Sequence, residues 1–236
     1  MSKIRSQKPG NFAIKKLARF LSIRIALFLK DFNISPNQLT LISFFVGASS
    51  AASFSVGQMP FNVLGVFLFL LSYLLDFIDG DVARLKNQTS QFGEWLDAVT
   101  GKVESVLLIL GICLGQMRCG SPQLIWLLGF ITISGYYVGQ SLMYKNSILY
   151  YKRALKETSL AKEDFLASAP PKKKKSIVRK LIGEVFIGGH FIPYALVVTV
   201  LLDRMLLFLW CAAVYMWFDY LLQVFFTMRG LKRAKI

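Results

Sequence analysis

Apolar residues run through this chain in stretches too long for the helices of an ordinary soluble core. Leu, Ile, Val, Phe, Ala and Gly dominate roughly 37–57, 60–84, 93–116, 122–144, 184–203 and 205–228. Each stretch approaches the ~20 residues with which a helix crosses a bilayer. The pattern predicts an all-α, polytopic membrane protein with six transmembrane helices, residues 37–228 forming one membrane domain. Ahead of it, the segment 10–30, GNFAIKKLARFLSIRIALFLK, sets Lys15, Lys16, Arg19, Arg24 and Lys30 among Phe, Leu and Ile at helical spacing. That spacing predicts an amphipathic helix on the membrane surface, with a solvated helix packed on the spans as the alternative, within an N-terminal segment 1–36. SPNQLT follows at 35–40, where Pro36 is suited to open a helix and Ser35 to cap it.

Composition agrees: 55% of the 236 residues are hydrophobic. The net charge of +15 raises the question of nucleic acid, and its distribution answers it. Eight Lys/Arg fall in 1–36, two in 84–92, eleven in 145–183 and four in the tail 229–236, which is 25 of the 28. Six crossings put those four segments on one side, so the basic residues are explained by topology and no nucleic-acid partner is implied. The positive-inside rule then places both termini in the cytoplasm, where basic flanks favour anionic lipid headgroups. The connection 145–183 reads as a cytoplasmic loop, with a short helix expected at 148–166 and a surface-associated Ala-Pro-Pro-Lys-Lys-Lys-Lys at 169–175. Cys113, Cys119 and Cys211 have neither metal-ligand nor disulfide spacing. His190, after two glycines, reads as a polar contact near a helix start.

Against this background the stretch Asp76–Gly101, DFIDGDVARLKNQTSQFGEWLDAVTG, carries the candidate chemistry. Ionisable groups inside a membrane span are expensive and mark functional sites. On a helix, Asp76 and Asp79 are one turn apart on a face shared with Gly80 and Ala83, and Arg84 lies just beyond, where its planar fork suits a phosphate. Gly93, Asp97 and Gly101, spaced by four, form a stripe on the next helix. The short connection makes the two helices antiparallel neighbours, so Asp97 approaches Asp76 and Asp79. Three converging carboxylates form a hard oxygen site suited to Mg²⁺ or Mn²⁺. A lone membrane carboxylate such as Asp219 reads instead as a packing contact.

The order Asp76-x2-Asp79-Gly80-x2-Ala83-Arg84-x8-Gly93-x3-Asp97-x3 resembles the signature of the CDP-alcohol phosphotransferases, D-x2-D-G-x2-A-R-x8-G-x3-D-x3-D, at every fixed position but the last. The resemblance implies a transferase of phospholipid biosynthesis. A CDP-alcohol, often CDP-diacylglycerol, would bind with its pyrophosphate at the metal site, an acceptor hydroxyl would attack phosphorus, and CMP would leave. It also implies that Asp76, Asp79 and Asp97 ligate metal and that Asp79, Gly80, Ala83, Arg84 and Gly93 form the cytidine and pyrophosphate site. Asn37 and Thr40 would help line it. A homodimer, with the active site facing the cytoplasm, is implied in the same way.

The departure is Gly101, where the family signature has the Asp expected to act as general base. Glycine neither takes a proton nor holds a cation through its side chain. Glu94 lies off the stripe, and Glu104 lies about 10 Å deeper at 1.5 Å per residue. Either the chain is a weakly active or inactive variant, natural or introduced, or water or substrate phosphate takes the proton. The alternative function is a non-catalytic membrane protein that binds a CDP-lipid or organises partners. A transporter would need an inverted repeat, which the sequence lacks. Lys145, Arg153, Arg179 and Lys180 either hold a phosphorylated acceptor or only set topology.

Overall fold

A computed structural model describes residues 13–117, 122–160 and 191–233. These residues are helical without strands: α1 (Ala13–Leu29), α2 (Pro36–Ser55), α3 (Met59–Leu85), α4 (Gln91–Gln116), α5 (Pro122–Leu160), α6 (Phe191–Leu201) and α7 (Met205–Arg233). Among them, α3, α4 and the Met205–Phe225 part of α7 are long and apolar enough to cross a membrane. They group into two compact units, one drawn from Met1–Gly129 and His190–Cys211, the other from Phe130–Gly189 and Ala212–Ile236.

The first unit is organised around α2, which packs on α3 and α4, while α1 and α6 pack on α3. Small residues let the backbones approach. Ser50 donates to the Gly65 carbonyl at 2.8 Å. A Cβ at Gly111 would collide with the Ala51 carbonyl, and one at Gly115 with that of Phe54. Such small-residue contacts suit helices that lack a water-driven reason to associate. Beside them, Ala26, Leu39, Ile78 and Val82 form an apolar core joining α1, α2 and α3.

Local rules set the helix starts. Ser35 caps α2 in a reciprocal box with Gln38, with Pro36 in the first turn. Ser90 caps α4 through the Gly93 amide at 3.0 Å. Between α3 and α4, Asn87 takes a positive φ of 54°. Lys86 Nζ donates to the carbonyls of Phe32 and Ile34 at 2.6 and 2.8 Å. That ties the end of α3 to the chain entering α2.

Within the second unit, Trp217 donates its indole N–H to the Ile131 carbonyl at 3.0 Å. Gln223 donates to Asp219 at 2.6 Å, the packing contact expected of that carboxylate.

Two helices outrun their expected spans: α7 continues past 228 to Arg233, and α5 goes further. α5 does not end near 144 but continues to Leu160, through the start of the expected cytoplasmic loop and most of its expected short helix. The sequence YKNSILYYKRALKETSL has no proline or glycine to stop it, and a helix need not end where the hydrocarbon does. The lysine run at 169–175, Arg179, Lys180, Cys119 and His190 lie outside the described residues.

Candidate active site

The site forms where the N-terminal turns of α2 and α4 meet the C-terminal part of α3. Asp76 and Asp79 come from one turn of α3, and Asp97 from the second turn of α4. One ligand oxygen from each lies within 4.8 Å of the others, Asp79 buried, Asp76 and Asp97 exposed. Among the described residues, no Lys or Arg forms an ion pair with any of the three. The carboxylate that is partnered is Asp79, which accepts from the Thr40 hydroxyl at 2.7 Å. All the donors are hard oxygens, and the mutual repulsion of three ionised carboxylates this close is relieved by a bound cation. The residues therefore fit a divalent ion such as Mg²⁺ or Mn²⁺ and not a thiolate- or imidazole-loving metal.

An open pocket of about 180 Å³ adjoins the carboxylates. Its lining includes Asn37, Thr40, Asp79, Gly80, Ala83, Arg84, Gly93 and Asp97, so eight residues singled out in the sequence share one wall. Asp76 joins them through the carboxylate cluster rather than through the pocket lining. Two of the glycines sit in tight surroundings. A Cβ at Gly93 would lie 3.1 Å from Asn37 Oδ1 and 3.2 Å from Ser90 Oγ, and one at Gly80 would lie 3.3 Å from Arg84 Nη2. Gly101 is not in the lining, and a Cβ there would meet nothing within 4 Å.

Gln88, Thr89 and Ser90, which the sequence did not single out, also line the pocket, together with Pro36, read only as a helix opener, and Glu94, which lies off the glycine stripe. Glu104, set aside as too deep, accepts from Ser72 at 2.6 Å, and Ser72 in turn meets Ser43 at 3.3 Å. A Cβ at Gly47 would collide with the Glu104 carboxylate, so α2 leaves room for it.

Asp81 was also missed. It is fully buried and is held by Arg19, Ser22 and Arg84. The available signal was a fourth carboxylate in the same stretch, about 200° around α3 from Asp79, together with Arg19 and Ser22 one turn apart on α1.

Residues 33–163 match the sequence profile of the CDP-alcohol phosphatidyltransferases, more than half of the chain. The chain belongs to the CDP-alcohol phosphatidyltransferase family. Relatives include the bifunctional IPC transferase and DIPP synthase of Aquifex aeolicus, 41% identical over 37% of this chain and 19% of the relative. The archaetidylinositol phosphate synthase of Pyrococcus horikoshii is 29% identical over 49% of this chain and 56% of its own. The chain thus spans about a fifth of the bifunctional relative and just over half of the synthase.

Among solved structures, the fold is similar to that of Mycobacterium tuberculosis phosphatidylinositol phosphate synthase in complex with manganese and citrate. The TM-score is 0.57 and the identity 15%, covering 86% of this chain and 87% of that one. The same enzyme with CDP-DAG bound aligns with a TM-score of 0.57 and 15% identity, over 87% of this chain and 92% of that one. Membership of this family accords with an integral membrane protein, since three of the described helices are long and apolar enough to cross a bilayer.

Proposed function

We propose that this protein binds CDP-diacylglycerol in the pocket between α2, α3 and α4 and transfers its phosphatidyl group to an inositol phosphate, releasing CMP. The observation that carries this is the meeting of three carboxylates, without a Lys or Arg ion pair among the described residues, with the pocket that Arg84, Thr40 and the bare glycine positions line. The names of the relatives from Pyrococcus and Mycobacterium favour a phosphorylated inositol as acceptor.

Asp76, Asp79 and Asp97 would hold Mg²⁺ or Mn²⁺, which supplies neutralisation and polarisation of the pyrophosphate when bound. Thr40 orients Asp79. Arg84 offers the guanidinium to phosphate, and Gly80, Ala83 and Gly93 keep the wall low enough for the nucleotide to lie against backbone. Asn37 sits across from Gly93, where it meets the ligand. Of the three clustered carboxylates Asp97 is the nearest in sequence to Gly101, and no carboxyl group occupies Gly101 itself, so proton removal from the acceptor is the weak step.

The topology proposed with this reading is six spans, with both termini and the pocket on the cytoplasmic side. α1 lies along the anionic lipid surface through its exposed Leu17, Phe20 and Phe28. The protein works as a homodimer.

A second reading, a non-catalytic binder of a CDP-lipid, is favoured by Gly101, since the position carries no side chain and opens on empty space. Purified protein in detergent, given labelled CDP-diacylglycerol, Mg²⁺ or Mn²⁺ and inositol phosphate, separates them. CMP release supports transfer. Saturable donor binding with no CMP from any acceptor supports the binder. Absence of donor binding contradicts both.

A further inference from the structure

Asp81 lies two residues beyond Asp79 on α3 but is not among the residues lining the pocket. Its carboxylate is completely buried and fully engaged. Oδ1 accepts from Arg19 Nη1 at 2.9 Å and from Arg84 Nη2 at 2.8 Å. Oδ2 accepts from Arg19 Nη1 at 3.1 Å and from Ser22 Oγ at 2.9 Å. Two guanidiniums therefore share one buried anion, one from α1 and one from the pocket wall. The arrangement is expensive, because a buried ion pair rarely outperforms apolar residues of the same size as a means of packing helices. Joining α1 to α3 needed no charge, since the adjacent core of Ala26, Leu39, Ile78 and Val82 already does so.

What the cluster does do is fix Arg84. The hydrogen bond described for that guanidinium goes to Asp81, and its Nε is buried without a partner. The head group lies over Gly80, where a Cβ would come within 3.3 Å of Nη2. An anion below and a missing side chain beside it hold the same group in one place. A planar fork recognises phosphate through orientation as well as charge.

We propose that Asp81, held by Arg19 and Ser22 of the N-terminal helix, is a positioning residue that sets the direction in which Arg84 meets the phosphate of the donor. α1 is then part of the binding site at one remove. This rests on the reading of the pocket as a CDP-alcohol site.

The test uses the full chain in detergent. CDP-diacylglycerol affinity is measured by calorimetry and Mn²⁺ affinity by paramagnetic resonance, for the native chain, R84A, R19A, R19K, S22A and the double variant R19A/R84A. A lost charge-assisted hydrogen bond predicts about tenfold weaker donor binding in R84A and R19A. R19K should fall between R19A and native, and S22A should lose about two- to threefold. Mn²⁺ affinity should stay unchanged throughout, and R19A/R84A should bind donor no more weakly than R84A alone.

A purely packing role would lower thermal stability without touching donor affinity, or would shift donor and metal together. Either result overturns the proposal. So does a double variant in which the two losses add. R19K and S22A decide the matter if R19A does not fold: donor affinity within twofold of native in both, with R84A weakened, overturns it. Undiminished donor binding by R84A instead overturns the pocket reading, and the positioning role falls with it.

Discussion

Asp79 and Asp81 are two residues apart on α3 and have opposite surroundings. Asp81 is enclosed by two arginines and a serine, so its charge is balanced within the fold. Asp79 is also buried, yet its described side-chain partner is the Thr40 hydroxyl, and its charged neighbours within ligand distance are Asp76 and Asp97. A buried carboxylate with cationic partners contributes to architecture. Buried or converging carboxylates without them store an electrostatic cost that a ligand relieves. The difference lies in the neighbours, since both residues are aspartates on the same two turns. It separates what holds the site from what the site is for.

The comparison can be pushed from either side. The largest expected effect comes from placing a carboxylate at position 101, on the helix that carries Asp97. Gly101→Asp places its Cβ in open space, so the substitution costs no clash. It should raise kcat for CMP release by about 10²–10⁴-fold if a missing base limits turnover, with little change in donor Kd. Equal turnover by the two proteins, read from single-turnover CMP release, would remove the base from position 101.

The opposite manipulation empties the paired site. Asp81→Ala strands Arg19, whose side chain is only 8% exposed, and should destabilise the protein by about 3–5 kcal/mol in denaturant titration. Asp76→Asn should not, because it relieves repulsion instead of breaking a pair. Smallest is the cap that delivers α2 to the pocket. Ser35→Ala removes the acceptor for the Gln38 amide and should cost about 1 kcal/mol in the same titration, with the carboxylate cluster left intact.

These residues also show what could be read in advance. The hydrophobic runs gave α2, α3 and α4 close to their observed bounds, because a bilayer-length apolar stretch has few alternatives to helix. Ser35 and Pro36 act locally, so their roles were visible from five residues. The carboxylate cluster was legible because the spacing within each helix, plus one short connection, nearly determines the geometry. Asp81 was not legible. Its partner Arg19 is 62 positions away, and nothing in a basic amphipathic segment says which arginine turns inward. Arg19 was read as part of a surface-facing basic set, whereas it is buried and Arg24 stays outside, stacked on Phe20 at 4.0 Å. Glu104 was hidden in the same way: its hydrogen bond to Ser72 and the space left by Gly47 belong to helix packing, which spacing along one helix does not encode. The length of α5 was not legible because nothing in the sequence says that the apolar stretch 122–144 and the helix expected at 148–166 join into one helix without a break.

The central claim is that Asp76, Asp79 and Asp97 form a cation site and that other membrane carboxylates of this protein do not. Mn²⁺ titration followed by paramagnetic resonance, on the native protein and on the Asp79→Asn, Asp97→Asn and Asp219→Asn variants, tests it directly. Asp219 is the control, since Gln223 already occupies it. The account predicts saturable Mn²⁺ binding to the native protein, at least about tenfold weaker in Asp79→Asn and Asp97→Asn and unchanged in Asp219→Asn. Mn²⁺ binding that is absent from the native protein, or equal in all four, would contradict it.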